Sequence, residues 1–166
     1  MNPARSSIGG GIVATVVLAV FLLITDFLLS GTKIFVFATF TSLCAIGGPP
    51  YCEAGSLTAA GLTFFWFIIL FALGWPLLFG GFTWGLPGES GLTHGAVFGF
   101  ILWIGYVVTV LYGIWAGGET FAEDLPLLII TLFAYLVYGL VLGGVYDHFA
   151  GHRTFLTRRT DRETMG

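Results

Sequence analysis

Charge is what this sequence lacks. Of its 166 residues only six are Lys or Arg and nine are Asp or Glu, 9% of the chain, where soluble domains carry about 25%. A water-soluble surface cannot be covered with so few ionic groups, and the mean hydropathy of +0.95 points the same way. Clustered basic residues are scarce too. The one group, Arg153, Arg158, Arg159 and Arg162, is interrupted by Asp161 and Glu163, and the net charge is −3. This balance excludes nucleic acid as a partner, because phosphate binding needs a basic patch. The arginine tail reads first as a solvated end and second as a contact for anionic lipid headgroups.

The motifs of soluble chemistry are absent as well. There is no P-loop, no GxGxxG between strand and helix, no GxSxG, no HExxH and no CxxC. No pair of histidines sits at mid-span to bracket a haem. Ser90 is followed four residues later by His94, but no carboxylate lies at helical spacing to orient that imidazole, so a Ser–His nucleophile is not built. No cofactor is expected.

What the chain has in abundance is apolar runs. A helix needs about 20 mostly apolar residues to cross a hydrocarbon core of roughly 30 Å. Four stretches qualify: Ile8–Leu29, Leu57–Phe79, Gly91–Ala116 and Leu125–Tyr146. The first is too long for the hydrophobic part of a signal peptide and has no clear cleavage site after it, so it reads as a retained span. The expectation is an all-α integral membrane protein, a single antiparallel four-helix bundle occupying residues 1–166. A fifth apolar piece, Ile34–Ile46, is too short to cross. It belongs to a loop of residues 31–56 and suits an interfacial helix, a re-entrant segment or an extended one.

Local chemistry marks several boundaries. Asp124 can cap the fourth span, with Pro126 in its first turn. Gly47-Gly48-Pro49-Pro50 forces a turn, and Gly74-Trp75-Pro76 predicts a kink in the last third of the second span. Gly80, Gly81, Gly85, Pro87 and Gly88 predict a tight or flexible connection to the third span. Lys and Arg near the span ends set orientation. Arg5 and the tail arginines fall on one side and only Lys33 on the other, so both termini, including the tail 147–166, are expected in the cytoplasm and the 31–56 loop outside. Cys44 and Cys52, the two cysteines, lie in that outer loop. A disulfide is permitted there and two unpaired thiols are the other reading.

Helix periodicity adds a packing pattern. Gly91, Gly95 and Gly99 share a face of the third span with Tyr106 and Thr109. The fourth span offers Thr131, Tyr135, Tyr138, Gly139, Gly143 and Tyr146. Small-residue stripes let two helix backbones approach in lipid, and the simplest fit puts tyrosine rings of one helix into glycine grooves of the other. The first span turns Gly11, Thr15, Ala19 and Asp26 to one side. The hydroxyl-bearing faces could instead line a polar path. Of the five tryptophans, Trp84 and Trp115 suit the membrane interface, while Trp66, Trp75 and Trp103 sit deeper and are expected to pack.

Two sets of ionisable residues are candidate sites. Asp26 is the one acid inside a span, where it could handle protons or cations or simply bond to Thr25, Lys33 or water at the interface. His94 opens the third span and Asp147-His148 closes the fourth, at the same inner level, with Glu89 and His152 in nearby loops. Two imidazoles and a carboxylate could bind a transition metal or relay protons, and they equally suit helix ends as polar groups.

Three stretches together resemble a known family: Gly9-Gly10-Gly11-Ile12-Val13-Ala14-Thr15, the His94-Gly95-x-x-x-Gly99 run with Trp103, and Tyr138-Gly139-x-x-x-Gly143 ending in Tyr146-Asp147. They are similar to small four-span prokaryotic membrane proteins of unknown function. The resemblance implies four spans and no activity. The function expected first is a non-enzymatic accessory or structural subunit of a membrane assembly, in contact with the lipid bilayer and with a membrane-protein partner or copies of itself. A small oligomeric transporter or channel is the alternative. A metal-binding or enzyme subunit using His94, Asp147 and His148 comes third.

Overall fold

The computed structural model describes residues 3–28, 48, 57–87, 90–117 and 125–150. Every element among them is helical, and no strand is found among the described residues. Helix α1 covers Pro3–Leu28 and α2 covers Leu57–Ile68. A π-helical turn, Ile69–Gly74, joins α2 directly to α3, Trp75–Phe82, and a short 3-10 turn follows at Thr83–Gly85. Helices α4, Gly91–Gly117, and α5, Leu125–Ala150, complete the order. Among the described residues four helical stretches are long and apolar enough to cross a membrane: Ala4–Thr25, Leu57–Phe82, Gly91–Thr109 and Leu128–Ala150.

These helices overrun the apolar stretches that announce them. Helix α1 starts five residues before Ile8 and α5 continues through Asp147 and His148 to Ala150. Backbone hydrogen bonding does not stop where side chains turn polar, so apolarity marks the middle of a helix better than its ends. Ser90 fixes one start well. Its Oγ accepts the Thr93 N–H at 3.3 Å, while Thr93 Oγ1 in turn accepts the Ser90 N–H at 3.2 Å. Two helix-end donors are thus satisfied reciprocally, the logic of a capping box. Gly48, with φ of +60°, stands in the left-handed region that glycine adopts without steric cost.

The expected flexible connection begins later than the glycines suggest. Gly80 and Gly81 lie inside α3. Gly80 is there for space, since a Cβ on it would strike the Ser7 hydroxyl of α1.

Helix α5 is central, packing along both α4 and α1, and α1 also crosses the π-helical turn and α3. The core reads directly from the four-residue spacing of helix faces. Ala14, Leu18 and Leu22 line α1, Ala134, Tyr138 and Leu142 line α5, and Phe67, Phe79 and Phe98 close the remaining sides. The distribution of polarity is inverted relative to a soluble protein. Ser6, Ser7 and Thr131 are at most 1% exposed, while Phe27 is 84% and Leu57 92% exposed. Ile12, Val16, Leu23, Phe100, Ile101, Val108 and Phe133 also face outward. Apolar surface on this scale is tolerated only where something other than water covers it.

Candidate functional site

The glycine stripes meet backbone to backbone. A Cβ on Gly95 would run into the Gly139 carbonyl oxygen, with the carbonyl carbon at 2.9 Å and Gly143 Cα at 3.1 Å. Gly91 lies against the Gly143 carbonyl and Gly99 against the Tyr135 carbonyl. The fit is reciprocal, because Gly139 abuts Gly95 and Gly143 abuts Gly91 in the same way. Residue numbers rise along α4 as they fall along α5. At this separation Cα–H groups of one helix face carbonyls of the other, which are weak hydrogen bonds individually and recur along the contact.

Tyrosine rings in glycine grooves, the simplest expectation, is therefore corrected. Glycine meets glycine, and α5 presents a carbonyl at Tyr135, not a ring, to Gly99. The rings turn aside. Tyr138 packs edge-on against Phe71 at 5.1 Å, Tyr146 edge-on against Phe79 at 5.5 Å, and Tyr135 sits between Phe71 and Tyr106. A ring would hold the two backbones several ångströms further apart than the dispersion-rich contact they reach without one.

The three glycines of α1 serve two neighbours. Gly10 packs on Leu142 and the Tyr146 backbone of α5, Gly9 on Phe149, and Gly11 on Pro76 and the Ala72 carbonyl. As the spacing predicts, Gly11 and Thr15 face inward.

The most informative contact is between α5 and the π-helical turn. There the Trp75 N–H bonds to the Leu70 carbonyl, five residues back. Continued in that register, the next donor would be the N–H of residue 76 and its acceptor the Phe71 carbonyl. Residue 76 is proline and has no N–H. The Tyr138 hydroxyl donates to Phe71 O instead, at 2.6 Å. A part-buried carbonyl that the π register would leave without its own donor is thus served by a neighbouring helix, as an apolar surrounding requires. Pro76 itself is fully buried beneath Gly11.

Several other hydroxyls also donate to backbone carbonyls, whereas those of Ser6, Ser7 and Thr63 are buried with no hydrogen-bond partner among the described residues. Thr15 Oγ1 donates to Gly11 O at 2.7 Å, Thr25 to Phe21 O at 2.8 Å and Thr131 to Leu128 O at 3.0 Å. The Trp103 indole N–H crosses from α4 to the same Leu128 carbonyl at 3.0 Å. Trp75 and Trp103 are half-buried, whereas Trp66 lies on the outer surface beside Phe65.

The candidate ionisable residues are distributed unevenly. His94 is buried on α4, where its backbone N–H reaches Ser90 O at 3.0 Å. The Asp147 side chain lies against Gly91 at the start of α4, so the two helix ends do come to one level. His148 is exposed, its ring 5.8 Å from that of Phe149. Among the described residues no three His, Cys, Asp or Glu side chains gather where they could hold a metal. Asp26 falls in the last turn of α1. Its side chain, Cys44, Cys52, Glu89, His152 and the tail arginines lie outside the described residues.

With the helices and their contacts in place, comparison with known proteins adds one match. The sequence profile of a family of unknown function (DUF6789) covers residues 1–157. The chain belongs to that family. No curated protein and no solved structure matches it. Membership in DUF6789 agrees with the resemblance to uncharacterised proteins and carries no activity with it.

The sequence predicted the glycine faces, but not the Tyr138–Phe71 bond or the Gly80–Ser7 contact. The first had a signal. A proline in the last third of an apolar span leaves a carbonyl that some hydroxyl must reach, and the fourth span carries a face of candidates.

Proposed function

We propose that this DUF6789 chain is a non-enzymatic structural or accessory component of a cell membrane. In this reading its four long helices cross the bilayer as an antiparallel bundle, with both termini in the cytoplasm and the 31–56 loop outside. The inverted surface, with serines and threonine inside and phenylalanines and leucines outside, supports insertion into lipid.

One observation carries the choice of accessory over transporter. The hydroxyls of Thr15, Thr25, Thr131 and Tyr138 and the indole N–H of Trp103 each bond to a backbone carbonyl. Trp103 and Tyr138 fasten one helix to another, the three threonines return to carbonyls of their own helices, and groups engaged in either way are not presented to a solute. The glycine contact between α4 and α5 brings backbones together and leaves no width for a path between those two helices. A catalytic or metal role for His94, Asp147 and His148 is disfavoured by the outward position of His148.

Purification of the tagged full-length chain in mild detergent, with mass spectrometry of what accompanies it, tests the reading. A stoichiometric membrane-protein partner is the expected result. Reconstitution in liposomes supplies the counter-test. Proton or cation flux that disappears in Asp26→Asn would replace the accessory reading with transport. Substoichiometric metal in both the wild type and a His94→Ala, His148→Ala double variant is expected, and a bound metal lost in the variant would revive the third reading.

A further inference from the structure

We propose that the second span is a hinged helix, with the Tyr138–Phe71 hydrogen bond as the latch that holds its outer half, α2, in line. This goes beyond membrane insertion and assigns a moving part to the fold.

The hinge is the π-helical turn Ile69–Gly74. It already departs from α-helical bonding, and π-helical turns are places where a helix can shift register or bend at low cost. Proline at residue 76 removes the backbone bond that would otherwise stiffen the junction with α3.

The two sides of the hinge are held differently. On the inner side α3 crosses α1, with Gly11 on Pro76 and Ser7 on Gly80. On the outer side α2 runs directly into the π-helical turn; it buries Ala59, Thr63 and Phe67, the last within the core cluster, while Leu57, Phe64, Phe65 and Ile68 face outward. What ties the turn to the rest of the protein is α1 on one flank and, on the other, the aromatic cluster of Phe71 with Tyr135 and Tyr138 and the single 2.6 Å hydrogen bond. Loss of that bond leaves Phe71 O without a donor, and the turn relieves this by bending toward whatever donor it can find. The outer half swings about a fixed inner half.

Proline supplies a decisive control. In Pro76→Ala the backbone regains the N–H that, in the same register, reaches Phe71 O. The latch then becomes redundant, and Tyr138→Phe should have no effect in that background.

The test is pulsed electron–electron spin resonance on the full-length chain in nanodiscs, with Cys44 and Cys52 replaced by Ser. One label pair at Leu57 and Ile129 reports the outer end of α2, and a reference pair at Ile101 and Phe133 reports α4 against α5. Tyr138→Phe is expected to broaden the first distance distribution and leave the reference unchanged. Amide exchange over Ile69–Gly74 should rise about threefold, the factor that an interhelical hydrogen bond of average strength supplies in a membrane bundle. The Pro76→Ala, Tyr138→Phe double variant should return to the narrow distribution of Pro76→Ala alone and of the wild type. The proposal is overturned by a Tyr138→Phe distribution that matches the wild type, by broadening of both label pairs alike, by broadening in Pro76→Ala alone, or by broadening that persists in the double variant.

Discussion

Replacing Gly95 with Ala adds one methyl group where the backbones of α4 and α5 meet. The new Cβ would overlap the Gly139 carbonyl oxygen and press on its carbonyl carbon at 2.9 Å and on Gly143 Cα at 3.1 Å. All three are backbone atoms inside a helix, so none can rotate away, and relief requires the two helices to separate by roughly 1 Å. A gap of that size forfeits about a quarter to a half of each affected dispersion well. It also weakens Cα–H···O contacts worth roughly 0.5–1 kcal/mol each. Overpacked cores lose about 1–3 kcal/mol, and Gly95→Ala should fall in the upper half of that range because its neighbours are rigid. The comparison is Gly105→Ala on the same helix, where a Cβ meets nothing within 4 Å. There the substitution gains helix propensity, up to about 1 kcal/mol. Equilibrium unfolding in mixed micelles, followed by far-ultraviolet circular dichroism, reads both changes. The reasoning predicts opposite signs. Equal stability of the two variants, or a Gly95→Ala protein as stable as the wild type, would refute the backbone contact.

Three further outcomes follow from the contacts. Gly80→Ala should destabilise the protein by about 1–2 kcal/mol because its Cβ strikes the Ser7 hydroxyl. Adding Ser7→Ala should restore most of that loss, since the Ser7 Cβ at 3.2 Å and Tyr146 Cε2 at 3.8 Å then remain. Unfolding titrations of the two single variants and the double variant give the coupling. Trp103→Phe keeps an aromatic ring but removes the N–H that reaches Leu128 O. A loss of about 0.6 kcal/mol, up to ~1.7, is expected in a membrane bundle, measured by the same titration. Thr131→Val, which removes a hydroxyl returning to its own helix three residues back, should cost less than Trp103→Phe. A larger loss at Thr131 would mean that its hydroxyl has a role beyond its own helix.

Much of this arrangement was legible because lipid-type packing leaves simple marks on a sequence. Runs of about 20 apolar residues announced the four long helices, and glycines spaced by four announced the face joining α4 to α5. Three features escaped for physical reasons. Helix ends lie in polar sequence, where apolarity no longer discriminates, so α1 and α5 overran their predicted limits. The use of Gly80 depends on Ser7, 73 positions earlier, and no spacing within one helix reveals a contact between two. The orientation of the tyrosines was decided by a competition that the helical wheel does not contain. Once glycine backbones meet, no room remains between them, and the rings pass to the flanks, where Phe71 and Phe79 receive them.

The same competition explains why Tyr138 holds the most demanding position among the tyrosines. Its hydroxyl is needed at Phe71, and its ring stands beside a glycine contact that fixes α5 against α4. A residue one turn away would point its hydroxyl past the turn, and phenylalanine at 138 would fill the space without meeting the carbonyl. The π-helical turn before Pro76 and the glycine stripe on α5 are therefore not separate devices. Close approach of α4 and α5 drives Tyr138 outward from their contact and onto the π-helical turn, so a substitution that parts the glycines should also disturb the latch. Gly139→Ala lies next to Tyr138 and meets the Gly95 carbonyl head-on. It is expected to broaden the Leu57–Ile129 distance distribution together with the reference pair, where Tyr138→Phe broadens the first alone. If Gly139→Ala instead left the outer half of the second span as narrow as in the wild type, the two devices would be independent.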